Sequence, residues 1–139
     1  EAQTGAVPRA PRPRARPVGR RAGPPRRYPD TRFAADARLK LDLINDHLAG
    51  KEMEIGRAYE RQGKWLAASI RFRTVIDKYQ TTSHTPEALF RLVESYLSIG
   101  LPEEAQKAAA VLGKNYPGSE WYTRAFDLMN KRAPGVQVS

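Results

Sequence analysis

The same two-helix pattern is written twice between Lys51 and Ser119, at an offset of 37 positions. Tyr59 falls on Tyr96, Gly63 on Gly100, Ala68 on Ala105 and Tyr79 on Tyr116. Each position has a physical task. The first Tyr fills the gap between paired helices. The Gly ends the first helix in a left-handed conformation, and the Ala lets two backbones approach closely. One such pair cannot bury its apolar face alone, so successive pairs stack and the stack offers a surface to other proteins. The spacing therefore predicts an all-α chain that works as a scaffold.

A large residue, then Gly, then a small residue, then a closing aromatic is the grammar of a tetratricopeptide repeat. The expected fold is a tetratricopeptide-like helical solenoid over 28–132, preceded by a disordered Arg/Pro-rich tail over 1–27. Tyr28-Pro29-Asp30-Thr31 echoes Tyr79-Gln80-Thr81-Thr82 and Tyr116-Pro117-Gly118-Ser119. In each, an aromatic ends a helix, turn residues follow, and a hydroxyl or carboxylate caps the next helix. Tyr28 thus reads as the end of a repeat whose helices are absent from this chain.

From Phe33, the spacing of Leu39, Leu41, Ile44, Leu48, Ile55 and Tyr59 predicts one long helix over about 33–62. It is bent at Gly50, or else broken at Ala49-Gly50. A second helix runs from Trp65 to Tyr79 with Ala68, Phe72, Val75 and Ile76 as its buried stripe. Thr85-Pro86-Glu87 supplies a cap, a Pro in the first turn and an acid, and starts a third helix that stops at Gly100. The fourth runs to Tyr116 and carries Ala105, Ala108, Ala109 and Leu112. The fifth, about 120–131, is capped by Ser119 and covers the last repeat. Residues 133–139 are expected to fray.

The net charge of +9 suggests a polyanion partner until it is divided by region. Residues 1–27 hold eight Arg and one Glu, whereas the other 112 residues carry only two net charges. The basic character belongs to the tail, which has six Pro and no Leu, Ile, Phe, Trp or Met. Such a stretch cannot offset the entropy of ordering a core. It reads as a solvated linker, or alternatively as a polybasic arm for acidic lipid or nucleic acid. Its exclusive use of Arg suggests a shifted reading frame.

Little in the chain points to catalysis. There is no Cys, and the two histidines, His47 and His84, stand far apart without ligand spacing. The paired acids Glu103-Glu104 and Glu52/Glu54 belong to first helical turns or solvated faces. No phosphate loop or nucleophile elbow occurs. The expected catalytic, metal and cofactor sites are none.

The stretch AGKEMEIGRAYERQGKWLAASIRFRTVIDKYQTT, followed by PEALFRLVESYLSIGLPEEAQKAAAVLGKNYPGSEWY, resembles the outer-membrane assembly lipoprotein family BamD. The resemblance covers Tyr28 to about Asn130, the C-terminal half of that family's repeats. It implies a scaffold, without enzymatic activity or cofactor, on the periplasmic side of the outer membrane. The implied partners are the POTRA region of BamA, other lipoproteins of the β-barrel assembly machinery, and unfolded outer-membrane proteins. Nucleic acid is not among them, and the membrane is reached only through a family lipid anchor absent from this chain. A BamD begins with a lipidated Cys and carries repeats before the position of Tyr28, so the expectation is a truncated or frameshifted BamD.

The candidate partner-binding residues are Arg61, Gln62, Lys64 and Arg71. The first three surround the turn at Gly63. Arg71 lies on the flank of the stripe formed by Ala68, Phe72 and Val75. An Arg fork suits a carboxylate, so an acidic site on a POTRA domain is the natural counterpart. An internal pair of Arg71 with a neighbouring acid is the alternative. The competing functions are a repeat adaptor of another cell-envelope complex and a polyanion binder acting through the tail. Tail-driven binding weakens steeply with salt, whereas docking on a repeat surface persists. Deleting residues 1–27 should leave the thermal unfolding midpoint almost unmoved, because almost no apolar side chain is lost. A drop of more than a few degrees would mean that the tail packs on the helices.

Overall fold

The structure is a computed structural model that describes residues 31–136. The tail 1–27, the Tyr28 turn and residues 137–139 lie outside the described residues. The chain divides into two units, residues 1–41 and 42–139. In the first, Thr31 opens helix α1 (Arg32–Arg61), and its Oγ1 accepts the Ala34 N–H at 3.1 Å. Leu39 and Leu41 are exposed.

The second unit holds the remainder of α1 and then α2 (Trp65–Lys78), α3 (Thr85–Ser98), α4 (Pro102–Asn115) and α5 (Glu120–Arg132). No strand occurs among the described residues. The fold is all-α and tetratricopeptide-like: α2 meets α1 at Gly56 and Glu52 to form one helix pair, α3–α4 form a second, and α5 packs on α3 and α4. Gly50 lies inside α1 without interrupting it, since one interior Gly costs a helix only about 1 kcal/mol.

The two helix pairs turn in the same way. Gly63 and Gly100 have φ of +74° and +80°, the left-handed region. At the first turn Lys64 N–H donates to Tyr59 O at 2.9 Å and Gly63 N–H to Glu60 O at 2.9 Å. At the second, Leu101 N–H donates to Tyr96 O at 2.8 Å and Gly100 N–H to Leu97 O at 3.2 Å. This is the Schellman closure of a helix, which satisfies carbonyls the helix would otherwise leave unpaired.

Ala49, Met53, Ala68, Phe72, Val75, Val93, Ala105, Ala109, Leu112, Ala125 and Met129 are fully buried and line the core between these pairs. Gly56 lies so near Phe72 that a Cβ there would sit 2.5 Å from Phe72 Cε1. The equivalent positions of the second pair are Val93 and Ala109, both fully buried. Bulk is thus carried by the second helix in one pair and by the first helix in the other. At the α3–α5 junction, the Phe90 and Trp121 rings stand 5.4 Å apart, and the Arg124 guanidinium lies 4.7 Å from the Trp121 centroid.

Two local expectations are corrected. Thr85 is the first residue of α3 instead of its cap. Its hydroxyl donates to Gln80 O at 2.9 Å and so serves the end of α2. Thr82 does the same with Tyr79 O at 2.8 Å. Hydroxyl caps are made instead by Thr31 at α1 and by Ser119 at α5, whose Oγ accepts the Trp121 N–H at 3.1 Å. The second correction is at the C-terminus, where fraying was expected from Ala133. Ala133 is buried, its N–H donates to Met129 O at 2.7 Å, and Val136 packs on the core.

Nothing lies within 4 Å of a Cβ built on Gly63, so any penalty for a side chain there is purely backbone strain. Gly63→Val should lower the unfolding free energy by roughly 1–3 kcal/mol, and Gly63→Asn by distinctly less, since Asn tolerates the left-handed region. Chemical denaturation of both variants checks this. Equal losses for Val and Asn would remove the backbone explanation.

Candidate partner-binding surface

Arg61, Gln62 and Lys64 flank the left-handed Gly63 and are all exposed. The Schellman closure commits the backbone N–H groups of Gly63 and Lys64 to carbonyls of α1. What this turn offers to solvent is therefore side-chain chemistry, two cations and an amide. Arg71 stands apart from them, seven residues beyond Lys64 and so about 10 Å further along the helix. Its Nη1 contacts Glu52 Oε1 on α1 at 3.3 Å. The internal pair that the sequence left open is thus present in the isolated chain. Both side chains are partly exposed, and such a pair contributes at most about 1 kcal/mol.

A second charged group joins α1 to α3. Arg91 Nη1 donates to Glu60 Oε1 at 3.2 Å and Glu94 Oε1 at 3.1 Å, and Arg91 Nε donates to Glu87 Oε2 at 3.2 Å. Arg57 Nη1 reaches Glu87 Oε2 from α1 at 3.0 Å. Glu60 is the buried member, with 8% of its side chain exposed and Oε2 left without a hydrogen-bond partner. Burial, and then the adjacent Glu94, push its pKa up to about 8, against the pull of Arg91. Its surroundings thus favour the protonated carboxyl, and the contact with Arg91 works against that preference. The helical spacings of Glu87, Arg91 and Glu94 are readable in the sequence. The approach of Glu60 from a separate helix is not.

At the start of α3, Asp46 accepts the Ser83 hydroxyl at 2.8 Å and the Ser83 N–H at 3.1 Å, which holds its carboxyl below the usual range. His84 Nε2 is 3.5 Å from Asp46 Oδ2, while His47 is exposed. Among the described residues, no group of three or more ligating side chains could hold a metal ion. Nor is any described helix long and apolar enough to cross a membrane.

The comparisons with known proteins bear on this surface. Residues 25–112 match the family YfiO, described as an outer membrane lipoprotein. The chain belongs to the YfiO family. Among curated relatives, a protein of Caulobacter vibrioides is 64% identical over 104 residues, covering 75% of this chain and 34% of its own length. One from Rickettsia prowazekii is 56% identical over 103 residues, covering 74% of this chain and 41% of its own length. One from Neisseria meningitidis serogroup A is 35% identical over 100 residues, covering 72% and 38%. Each is named outer membrane protein assembly factor BamD. The chain thus spans between about a third and two fifths of these YfiO relatives. The four candidate residues all lie within the part that matches the YfiO family.

The raised pKa of Glu60 gives stability a pH slope of defined sign. The folded chain keeps this proton up to about pH 8, whereas the unfolded chain releases it near 4.5. Between those values the folded state binds more protons, so stability falls as pH rises. The loss across that window is on the order of a few kcal/mol. Glu60→Gln, which imitates the protonated carboxyl, should flatten this slope. Denaturation midpoints at pH 5 and pH 8.5 measure it, and equal slopes for the two proteins would mean that Glu60 is ionised in the folded chain.

Proposed function

We propose that this chain is a non-enzymatic scaffold segment of the outer-membrane β-barrel assembly machinery, on the periplasmic side of the outer membrane. It docks the POTRA region of BamA through Arg61, Gln62, Lys64 and Arg71. Other lipoproteins of the machinery and unfolded outer-membrane proteins are its further partners. Membership of the YfiO family carries this reading, together with the relatives' shared name as assembly factors. The geometry adds a rigid cationic turn at the end of α1 and a partly exposed Arg71. A guanidinium has five N–H donors, and Glu52 engages it at Nη1. Docking exchanges or extends that contact with a partner carboxylate.

The test uses the full chain and the soluble POTRA region of BamA in calorimetric titrations. Arg71→Ala should weaken binding by about 2–5 kcal/mol if the pair is buried in the complex. Glu52→Gln, which releases Arg71 from its internal partner, should bind at least as well as the parent. If Arg71→Ala binds unchanged, the surface is misplaced. A parent chain that does not bind the POTRA region overturns the reading altogether.

A further inference from the structure

The two helix pairs serve as controls for each other. Positions 37 apart share a place in the repeat, so a difference in burial reports what packs there. Ile55 is 37% exposed, whereas its equivalent Leu92 is 3% exposed, on a helix against which α2 packs. Leu48 and its buried equivalent Thr85 differ in the same sense. Leu48 and Ile55 therefore lie on the face where a preceding helix pair would stack.

Leu66 and Ile70 behave otherwise. They are 63% and 58% exposed, and their equivalents Glu103 and Lys107 are exposed as well. The Lys107 side chain is 71% exposed even though α1–α2 precedes it. Stacking of repeats thus leaves this ridge of α2 uncovered. The second repeat meets solvent there with a carboxylate and an ammonium, and the first repeat meets it with Leu and Ile. Four residues apart, the two side chains lie on one helix face and form a continuous apolar ridge.

We infer that Leu66 and Ile70 are the apolar anchor of a protein interface beside Arg71. The occupant is a folded partner presenting an apolar patch bordered by carboxylates. The inference rests on the docking reading above, in which that partner is the POTRA region of BamA. Charge selects this occupant. Lys64, Arg71 and Arg73 border the ridge against two acids, Asp77 of α2, paired with Arg73 at 3.9 Å, and Glu52 of α1, paired with Arg71 at 3.3 Å, so cations are in excess there. A second copy of the chain would bring these cations against themselves. A preceding repeat is set aside by the exposure of Glu103 and Lys107.

The repeat itself supplies the test variant. Leu66→Glu with Ile70→Lys copies the second repeat's residues into the first, at backbone positions already seen to accept them. Calorimetric titration of the full chain with the soluble POTRA region should show Kd rising roughly tenfold or more, with the thermal midpoint unchanged. Leu66→Ala with Ile70→Ala gives the same comparison should the charged variant melt early. If the parent binds and both double variants bind equally well, this inference is overturned while the docking reading stands. If the parent fails to bind, both fall. If sedimentation shows a parent dimer that the double variant loses while POTRA binding persists, the occupant is a second copy and the inference is overturned.

Discussion

The stack depends on two backbone reversals, at Gly63 and Gly100, where a left-handed residue lets the outgoing helix satisfy its own last carbonyls. With the carbonyls of Tyr59 and Tyr96 taken up within the turn, each second helix must return along its partner at close range. Ala68 and Ala105 occupy that close approach and are fully buried. A side chain that forced φ negative at either turn would release the carbonyls and change the return angle together. Both the core and the exposed edge around Arg61 and Lys64 follow from this one geometry.

The elements that are governed locally were legible in the sequence. Gly63 and Gly100, Pro86 and Pro102, and the cap at Ser119 are punctuation whose meaning depends on the residue itself and its immediate neighbours. Thr85 was misread because a hydroxyl both donates and accepts. It can cap the helix ahead or serve the helix behind, and spacing does not distinguish the two. Ala133 was misread because burial at a chain end depends on what packs there, which here is the core beneath α5. The candidate site was legible to the same degree. Exposure of Arg61, Gln62 and Lys64 follows from the turn, whereas the pairing of Arg71 with Glu52 and of Arg91 with Glu60 joins separate helices.

The charged groups of this molecule fall into two kinds. Arg71 and Glu52 are wet and weakly held, so a partner can compete for the guanidinium at small cost. Glu60 is dry and held by its surroundings, so it acts on the joint between α1 and α3 and is closed to a partner.

The trade of bulk between the two helix pairs has a further consequence. Gly56 faces Phe72 in the first pair, while Val93 and Ala109 take those places in the second. Two units with the same grammar are therefore keyed parts. Exchanging α2 and α4 between them would drive Phe72 toward Val93 and leave Ala109 opposite Gly56, one joint overfilled and the other hollow. Once a duplicated repeat has diverged in this coupled way, its order along the chain can no longer be shuffled. The lock-and-key relation between neighbouring helices is then enough to keep the sequence of repeats in register.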